Sequence, residues 1–583
     1  MRKKILAVSA LIIAITILFT GCRLFGMEIS VSEPASETEA PVELIFTGYV
    51  ASDTTTAPLY IMEEAPESMD SSDASATSES SAPSPAENPG YVYTEALQLL
   101  RGTAVEYVFT NEAEYIKVKY QDGEYYIKPE NLVENAADVC LEKERYVRTS
   151  ATVYADSDSF RPASYALAKK GTQLEITGYD YLDENGIPNR YKVNFLGDAE
   201  IRSGWILSKY LVETKEEADA VYNEDGIYDI HKDRAYDIEL YGGYAKDLDY
   251  YPVEKPSIEG NELLTQAKAI YLNCAAVDDV YSYIDLAKEY GANAAVVDIK
   301  DGILAYYSNV AEELNPYAAT AYYNSFDYYK QAINALNEAG IYTIGRIVVF
   351  NDDFYAADFP EECINNEYWP SAYSRNCWYY NVSLAIEAVR SFGFREIQFD
   401  YVRFPENAYG MSLDGADFKN TYGEEKAEAI QNFLYYACDA LHAEGAYVSV
   451  DVFGECTDTY VTAYGQYYPA MSNVADVISG MPYTDHWGSE VDTWTEPYDI
   501  LHQWAVRTYQ RRLEVPTPAV DRTWITAYDT PYWDPEVDYD AEKISQQAKA
   551  LSDGGLRGGF ITWNSASDIY KYYEIGEAFS QSY

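Results

Sequence analysis

Glu396-Ile397-Gln398-Phe399-Asp400-Tyr401-Val402-Arg403-Phe404-Pro405-Glu406 is the stretch that decides the fold. Its first residues alternate. Gln398 and Asp400 share one face, and Ile397 and Phe399 share the other. A charged, proline-bearing segment follows and reads as a loop. Amphipathic helical patterns flank the stretch, Tyr379–Ser391 before it and Glu424–Ala443 after it. The same unit recurs from about residue 263 to the end. Strand candidates begin near Ala269, Ala294, Thr343, Glu396, Tyr447, Val477, Pro516 and Gly559. The other helix candidates are Val280–Tyr290, Phe326–Ala339, Tyr460–Val474, Tyr498–Leu513, Ala541–Leu551 and Asp568–Phe579. Strict alternation of eight strands with eight helices predicts a (β/α)8 TIM barrel over 263–583. An open doubly wound sheet would show a glycine-rich first turn, and none follows Tyr271.

In such a barrel the site forms on loops at the C-terminal strand ends. Strand two runs into Asp298-Ile299-Lys300-Asp301. Strand three carries Arg346 and ends in Asn351-Asp352-Asp353. Strand five runs Ser449-Val450-Asp451-Val452-Phe453-Gly454-Glu455. Strand six ends in Met481-Pro482-Tyr483-Thr484-Asp485-His486-Trp487, and strand eight in Thr562-Trp563-Asn564. Period two puts Ser449 and Asp451 on one face, so Asp400 and Asp451 aim together into the barrel mouth. Neighbouring strands lie about 4.8 Å apart, which brings two carboxyls within the separation glycoside cleavage uses. One protonates the leaving oxygen, and the other attacks the anomeric carbon or activates water. Crowded acids also raise one another's pKa.

Asp400 and Asp451, with Asp298 in support, are therefore the candidate catalytic acids. Asp298 fits equally an ion pair with Lys300 or Arg346. Asp301 and Asp352 fit caps of turns or helices. Glu406 and Glu455 read as solvated loop acids rather than catalytic groups, and Glu455 is kept as a candidate substrate contact. Arg403 is placed to orient Asp400 or to hold a substrate anion. Trp487 and Trp563 offer stacking surface to sugar rings. Arg346, Asp485, His486 and Asn564 complete the candidate binding set.

Several of these pieces together resemble a glycosyl-hydrolase family of bacterial lipoproteins and secreted proteins. The hallmark is Phe399-Asp400-Tyr401-Val402-Arg403-Phe404-Pro405. Val297-Asp298-Ile299-Lys300-Asp301, Gly345-Arg346-Ile347-Val348-Val349-Phe350, Val450-Asp451-Val452-Phe453-Gly454 and Trp563-Asn564 follow the same pattern, over about 265–575. The resemblance implies a barrel related to the α-amylase-like hydrolases, in which the strand-four Asp is the usual nucleophile. One departure stands out. Strand six reads Gly480-Met481-Pro482-Tyr483 where a Met-Val-Tyr-Pro-like order is expected, a difference that bears on the subsite shape near Asp485 and His486.

The N-terminal half has another texture. Arg2, Lys3 and Lys4 precede an apolar run from Ile5 to Phe19, and Phe19-Thr20-Gly21-Cys22 follows. The run is short for a bilayer span and reads as a signal peptide over 1–21. Its end resembles a bacterial lipobox, which implies lipidation of Cys22 and residence on the outer face of the cell membrane. Residues 22–42 and about 63–90 are rich in Ser, Glu, Ala, Pro and Asp, and read as a disordered tether and a disordered insert.

Between and after them the chain repeats. Gly102-Thr103-Ala104-Val105 parallels Gly171-Thr172-Gln173-Leu174. Tyr115-Ile116-Lys117-Val118 parallels Arg190-Tyr191-Lys192-Val193, and Asn131-Leu132-Val133-Glu134 parallels Tyr210-Leu211-Val212-Glu213. Both copies, 43–136 and 143–214, resemble bacterial SH3 domains, whose members often bind cell-wall peptide or glycan. A ligand-free spacer is the alternative. Residues 215–262 read as a linker.

The formal net charge is -53. Phosphate binding needs clustered cations, so a nucleic-acid partner is excluded. Four His and the absence of a CxxC pair argue against a zinc site, and no cofactor is implied. Without His-x-x-x-His or Gly-x-Ser-x-Gly, a deacetylase or peptidase fits poorly. Cys140, Cys274, Cys363, Cys377, Cys438 and Cys456 remain for disulfides that export would permit. The chain is thus expected to be a monomeric, membrane-anchored glycosidase acting on a cell-wall glycan or other polysaccharide. A non-catalytic glycan-binding or wall-tethering protein is the alternative.

Overall fold

The structure, a computed structural model, describes residues 45–52, 56–64, 91–108, 114–139, 144–183, 186–196, 202–222, 241–487 and 491–583. The signal peptide with Cys22, the tether, most of the acidic insert and Cys140 lie outside the described residues.

Two antiparallel sheets come first. One spans Ile45–Val133 and the other Glu144–Val212, each of seven strands. Counted within each sheet, the strand order is 3-2-6-5-4-1-7 in both, so the sequence repeat is also a repeat of topology. Its turn chemistry repeats too. Gly102 and Gly171 hold equivalent turns at φ +88° and +79°, a region that a Cβ disfavours. In the second sheet Gln173–Tyr179 buries Leu174, Ile176 and Gly178 while Glu175 stays exposed. The buried face is Val147, Val153, Leu174, Ile176, Val193 and Ile206.

A nearly closed parallel-sheet barrel follows. Its strands are β1 Ala267–Leu272, β2 Ala294–Asp301, β3 Tyr342–Val348, β4 Glu396–Asp400, β5 Tyr447–Phe453, β6 Val477–Met481, β7 Val520–Thr526 and β8 Gly559–Trp563. β8 pairs with β1. β7 is split at Arg522. Its first two residues pair with β6 and its last four with β8. Arg522 turns inward to the Glu396 carboxylate at 2.6 Å, both side chains fully buried. The strand therefore starts about four residues later than Pro516.

Helices α1 Val280–Tyr290, α2 Phe326–Glu338, α3 Arg375–Phe392, α4 Lys426–Ala443, α5 Tyr468–Val474, α6 Pro497–Arg512, α7 Ala541–Asp553 and α8 Ile569–Ser580 alternate with the strands. Of the helical patterns, Tyr460–Val474 needs correcting, because only Tyr468–Val474 is helical. Gly465 at φ +88° breaks the path, and Pro469 sits in the first turn, where its missing N–H costs nothing.

The described part of the 215–262 linker is docked. Thr214 caps a short helix over Lys215–Asp219, and Tyr250 is buried. The Asp249 N–H donates to Gln431 of α4 at 2.8 Å, and Tyr435 donates to the Asp249 carboxylate at 2.6 Å. The second sheet rests on the same helix, where Tyr210 donates to Asp439 at 2.7 Å and Ser150 to Glu428 at 2.8 Å. Among the described residues, Cys274, Cys363, Cys377, Cys438 and Cys456 are free and buried. They pack as small apolar groups.

Candidate active site

The barrel interior alternates as period two requires. Ala269, Val296, Ile344 and Ile561 fill its lower part, and polar groups occupy the layer above. Arg346 on β3 organises that layer. Its Nε and Nη2 donate to one Asp400 oxygen at 3.1 and 2.7 Å, and its Nη1 donates to Asp298 at 2.7 Å and to Asp301 at 3.2 Å. Tyr271 donates to the other Asp298 oxygen at 2.5 Å. Burial pushes Asp298 up to about 6, against the pull of Arg346. Burial alone would lower the Arg346 pKa, but Asp298 and Asp400 raise it well above its ordinary value.

Asp400 ends β4. The next residue, Tyr401, takes φ +54°, which is strained for a residue with a Cβ. That turn lets the Tyr401 N–H donate to the second Asp400 oxygen at 2.6 Å. Both carboxylate oxygens are thereby fixed.

Above this layer opens a cavity of about 780 Å³. Of the sequence-derived candidates, Asp400, Arg346, Arg403, Glu455, His486, Trp487 and Trp563 line it. Asp451, Asp298, Asp485 and Asn564 do not. Asp451 points into the barrel as predicted but is 0% exposed. One of its oxygens accepts from Gln398 and from the Trp524 indole, both at 2.7 Å, and the other, also buried, has no partner. Trp524 itself lines the cavity, so the β7 indole stands where a substrate would have to approach Asp451. Burial, and then the neighbouring Asp400 charge, push the Asp451 carboxyl well up. Asp298 is committed to Arg346 and Tyr271. Asn564 is buried in the turn after β8, donating to the Asp568 carbonyl at 3.3 Å. Asp485 stands behind His486. It accepts from His486 and from Tyr528 at 2.9 and 2.8 Å. That pairing raises the His486 pKa.

Glu455, read from sequence as a solvated loop acid and kept as a candidate substrate contact, is exposed and lines the cavity. The Tyr464 hydroxyl donates to one of its oxygens at 2.9 Å and Tyr460 to the other. Glu406, Asp458 and Arg507 also line the cavity. So do Tyr401, Phe453, Tyr464, Met481, Tyr483 and Trp524. The residues missed by sequence reasoning come mostly from loops whose course no periodicity encodes. Within the β6 stretch that departs from the expected order, Gly480 has a steric reason. A Cβ at Gly480 would lie 2.6 Å from the Trp504 ring. Trp504 donates to the Gly454 carbonyl at 3.0 Å, immediately before Glu455.

One group of metal-type donors lies elsewhere. Cys438, His442 and Asp476 offer ligand atoms within 4.8 Å of one another. One Asp476 oxygen already accepts from His442 and from the Val448 N–H, each at 2.8 Å. The Lys255 ammonium, held by three carbonyls, supplies positive charge nearby.

A family model described as "Putative glycosyl hydrolase domain" matches residues 269–570. No curated protein matches the chain. Among solved structures, a hypothetical protein from Ruminiclostridium thermocellum ATCC 27405 is 32% identical over 31% of this chain and 97% of its own, with a TM-score of 0.27. The PgaB (BpsB) glycoside hydrolase domain from Bordetella bronchiseptica is 11% identical over 55% of this chain and 100% of its own, with a TM-score of 0.41. A class V chitinase from Pseudomonas fluorescens Pf-5 is 13% identical over 54% and 99%, with a TM-score of 0.36.

Proposed function

The chain belongs to the glycosyl hydrolase family whose model covers 269–570, and from that premise we propose that it is a glycosidase acting on a cell-envelope or environmental polysaccharide. Asp400 is the principal carboxylate, attacking the anomeric carbon or activating water. Glu455 is the general acid that protonates the leaving oxygen and later takes a proton back. The observation that carries this reading is that Asp400 and Glu455 follow neighbouring parallel strands, β4 and β5, onto one cavity wall. Asp451 and Asp298 serve beneath it, Asp298 through Arg346. Trp487 and Trp563 give the sugar apolar surface on which to stack.

The finer architecture follows the same reading. The C-terminal barrel is a (β/α)8 TIM barrel. The two N-terminal sheets are SH3-like barrels, a reading supported by their shared strand order. The lipobox-like Phe19-Thr20-Gly21-Cys22 supports anchoring through Cys22 on the outer face of the membrane, with the barrel acting as a monomer.

The experiment is hydrolysis of a panel of wall glycans and secreted polysaccharides by the wild type and by Asp400→Asn. The wild type is expected to release reducing ends, and Asp400→Asn to bind without cutting. Binding by both proteins with cleavage by neither would replace the enzyme with a glycan-binding protein. The anomeric configuration of the first product separates retention from inversion.

A further inference from the structure

The proposed chemistry leaves two guanidinium groups on the cavity wall without work. Arg403 is the more demanding. Its side chain is 4% exposed. Its guanidinium lies 4.3 Å from the Phe453 ring centre and 4.6 Å from that of Tyr401. Two of its five N–H donors are accounted for. One goes to the Phe404 carbonyl at 3.2 Å and one to Glu406 at 3.3 Å. The Glu406 side chain is 72% exposed, and an ion pair to so exposed a carboxylate contributes little. Arg346, by contrast, is saturated by Asp298 and Asp400. Arg507 is the second loosely held cation. Its Nε is 3.9 Å from Asp458, and its guanidinium lies 5.6 Å from the Trp487 ring centre.

A guanidinium stays charged at any physiological pH, and holding one away from water is costly unless an anion meets it. Sugar hydroxyls repay that cost poorly. A carboxylate matches the planar fork with two parallel hydrogen bonds.

We propose, resting on the glycosidase reading above, that the substrate is an acidic polysaccharide. The sugar unit beside Asp400 bears a carboxylate that Arg403 grips, and Arg507 receives a second acidic unit along the cavity. The chain's charge of -53 opposes a polyanion at long range, and within the cavity Glu406, Glu455 and Asp458 are set against Arg403 and Arg507. The long-range repulsion is screened beyond about 8 Å at physiological ionic strength, whereas the grip is local.

The test compares hyaluronan, alginate and polygalacturonate with the same polymers after chemical reduction of their carboxylates, and with neutral glucan and chitin oligosaccharides. Cleavage is read as kcat/KM, and binding is measured on Asp400→Asn. At least one acidic polymer is expected to be cut about a hundredfold better than its reduced form, about 2.7 kcal/mol. Arg403→Gln should erase that preference, and Arg403→Lys, which keeps the charge but loses the fork, should mainly raise KM. Thermal melting of both variants reports whether they fold. Cleavage of a neutral or reduced polymer as fast as the acidic ones would overturn the substrate class and leave the hydrolase reading standing. Absence of both binding and cleavage across all three groups would count against both.

Discussion

Arg346 is the residue on which the site turns, because one guanidinium holds acids from β2 and β4 together. Asp298 and Asp400 are each held at 2.7 Å, and removing the cation leaves both buried without it. Breaking such a pair costs about 3–5 kcal/mol. Arg346→Gln is therefore expected to lower the melting temperature markedly and to cut kcat far more than it changes KM. Arg346→Lys should restore stability better than activity, since an ammonium replaces the charge but not the fork. An unchanged kcat in a folded Arg346→Gln protein would remove the clamp from the mechanism. The acid role separates two candidates. Glu455→Gln is expected to cost about 10²–10⁴ in kcat, and less with a nitrophenolate leaving group that needs no proton. Asp451→Asn keeps an oxygen for Gln398 and Trp524, and burial already favours the uncharged carboxyl there, so it should cost less than Glu455→Gln. The reverse order would return the acid role to Asp451. Period two made Asp400 legible, because a strand's faces follow from spacing alone. It also aimed Asp451 correctly. It could not show that an indole from β7, distant in sequence, lies over that carboxyl, nor that the loop after β5 curls Glu455 back to the cavity.

At the scale of elements, most helices were readable because each buries a periodic face, and the strands, buried on both faces, as short apolar runs. The exceptions are local breaks in these patterns. The pattern over Tyr460–Val474 is apolar enough for a helix, yet Gly465 and Pro469 confine the helix to its last turns. β7 is short and changes partner at Arg522, which turns its side chain into the barrel and so spoils an apolar run. β6 was flagged for its unusual order, and packing accounts for its glycine. Gly480 leaves room for Trp504, which in turn holds Gly454 beside Glu455. Gly480→Ala must push that ring. It should destabilise by about 1–3 kcal/mol, as overpacking does, and it should reduce hydrolysis further by displacing Glu455. Melting curves and kcat on the same preparation check this. Wild-type stability with wild-type activity would show that the ring yields freely.

For the whole molecule, charge and burial combine into a dependence on pH. Burial raises Asp298 and Asp521 to about 6 and Glu425 to about 7. It also raises Asp451. A carboxyl whose folded pKa is raised binds its proton more tightly in the folded state. Its contribution is complete below the unfolded pKa near 4 and is lost as pH rises through the folded value. The His486 pKa is raised as well, by Asp485, and its contribution likewise falls away as pH rises. The lowered carboxyls, such as Asp417 and Asp553, act below pH 4 and stay constant above it. Lys255 and Lys426, lowered to about 8, change mainly above neutrality. Between pH 5 and 7.5 the carboxyl and histidine contributions therefore share one sign, and the two lysines oppose it only above neutrality. Self-repulsion of a chain at -53 adds to the loss as its acids ionise. The melting temperature is expected to fall steadily from pH 5 to 7.5, and added salt should recover the self-repulsion part but not the desolvation part. A melting temperature that rises across that interval would mean that these carboxyls are not buried as the barrel buries them.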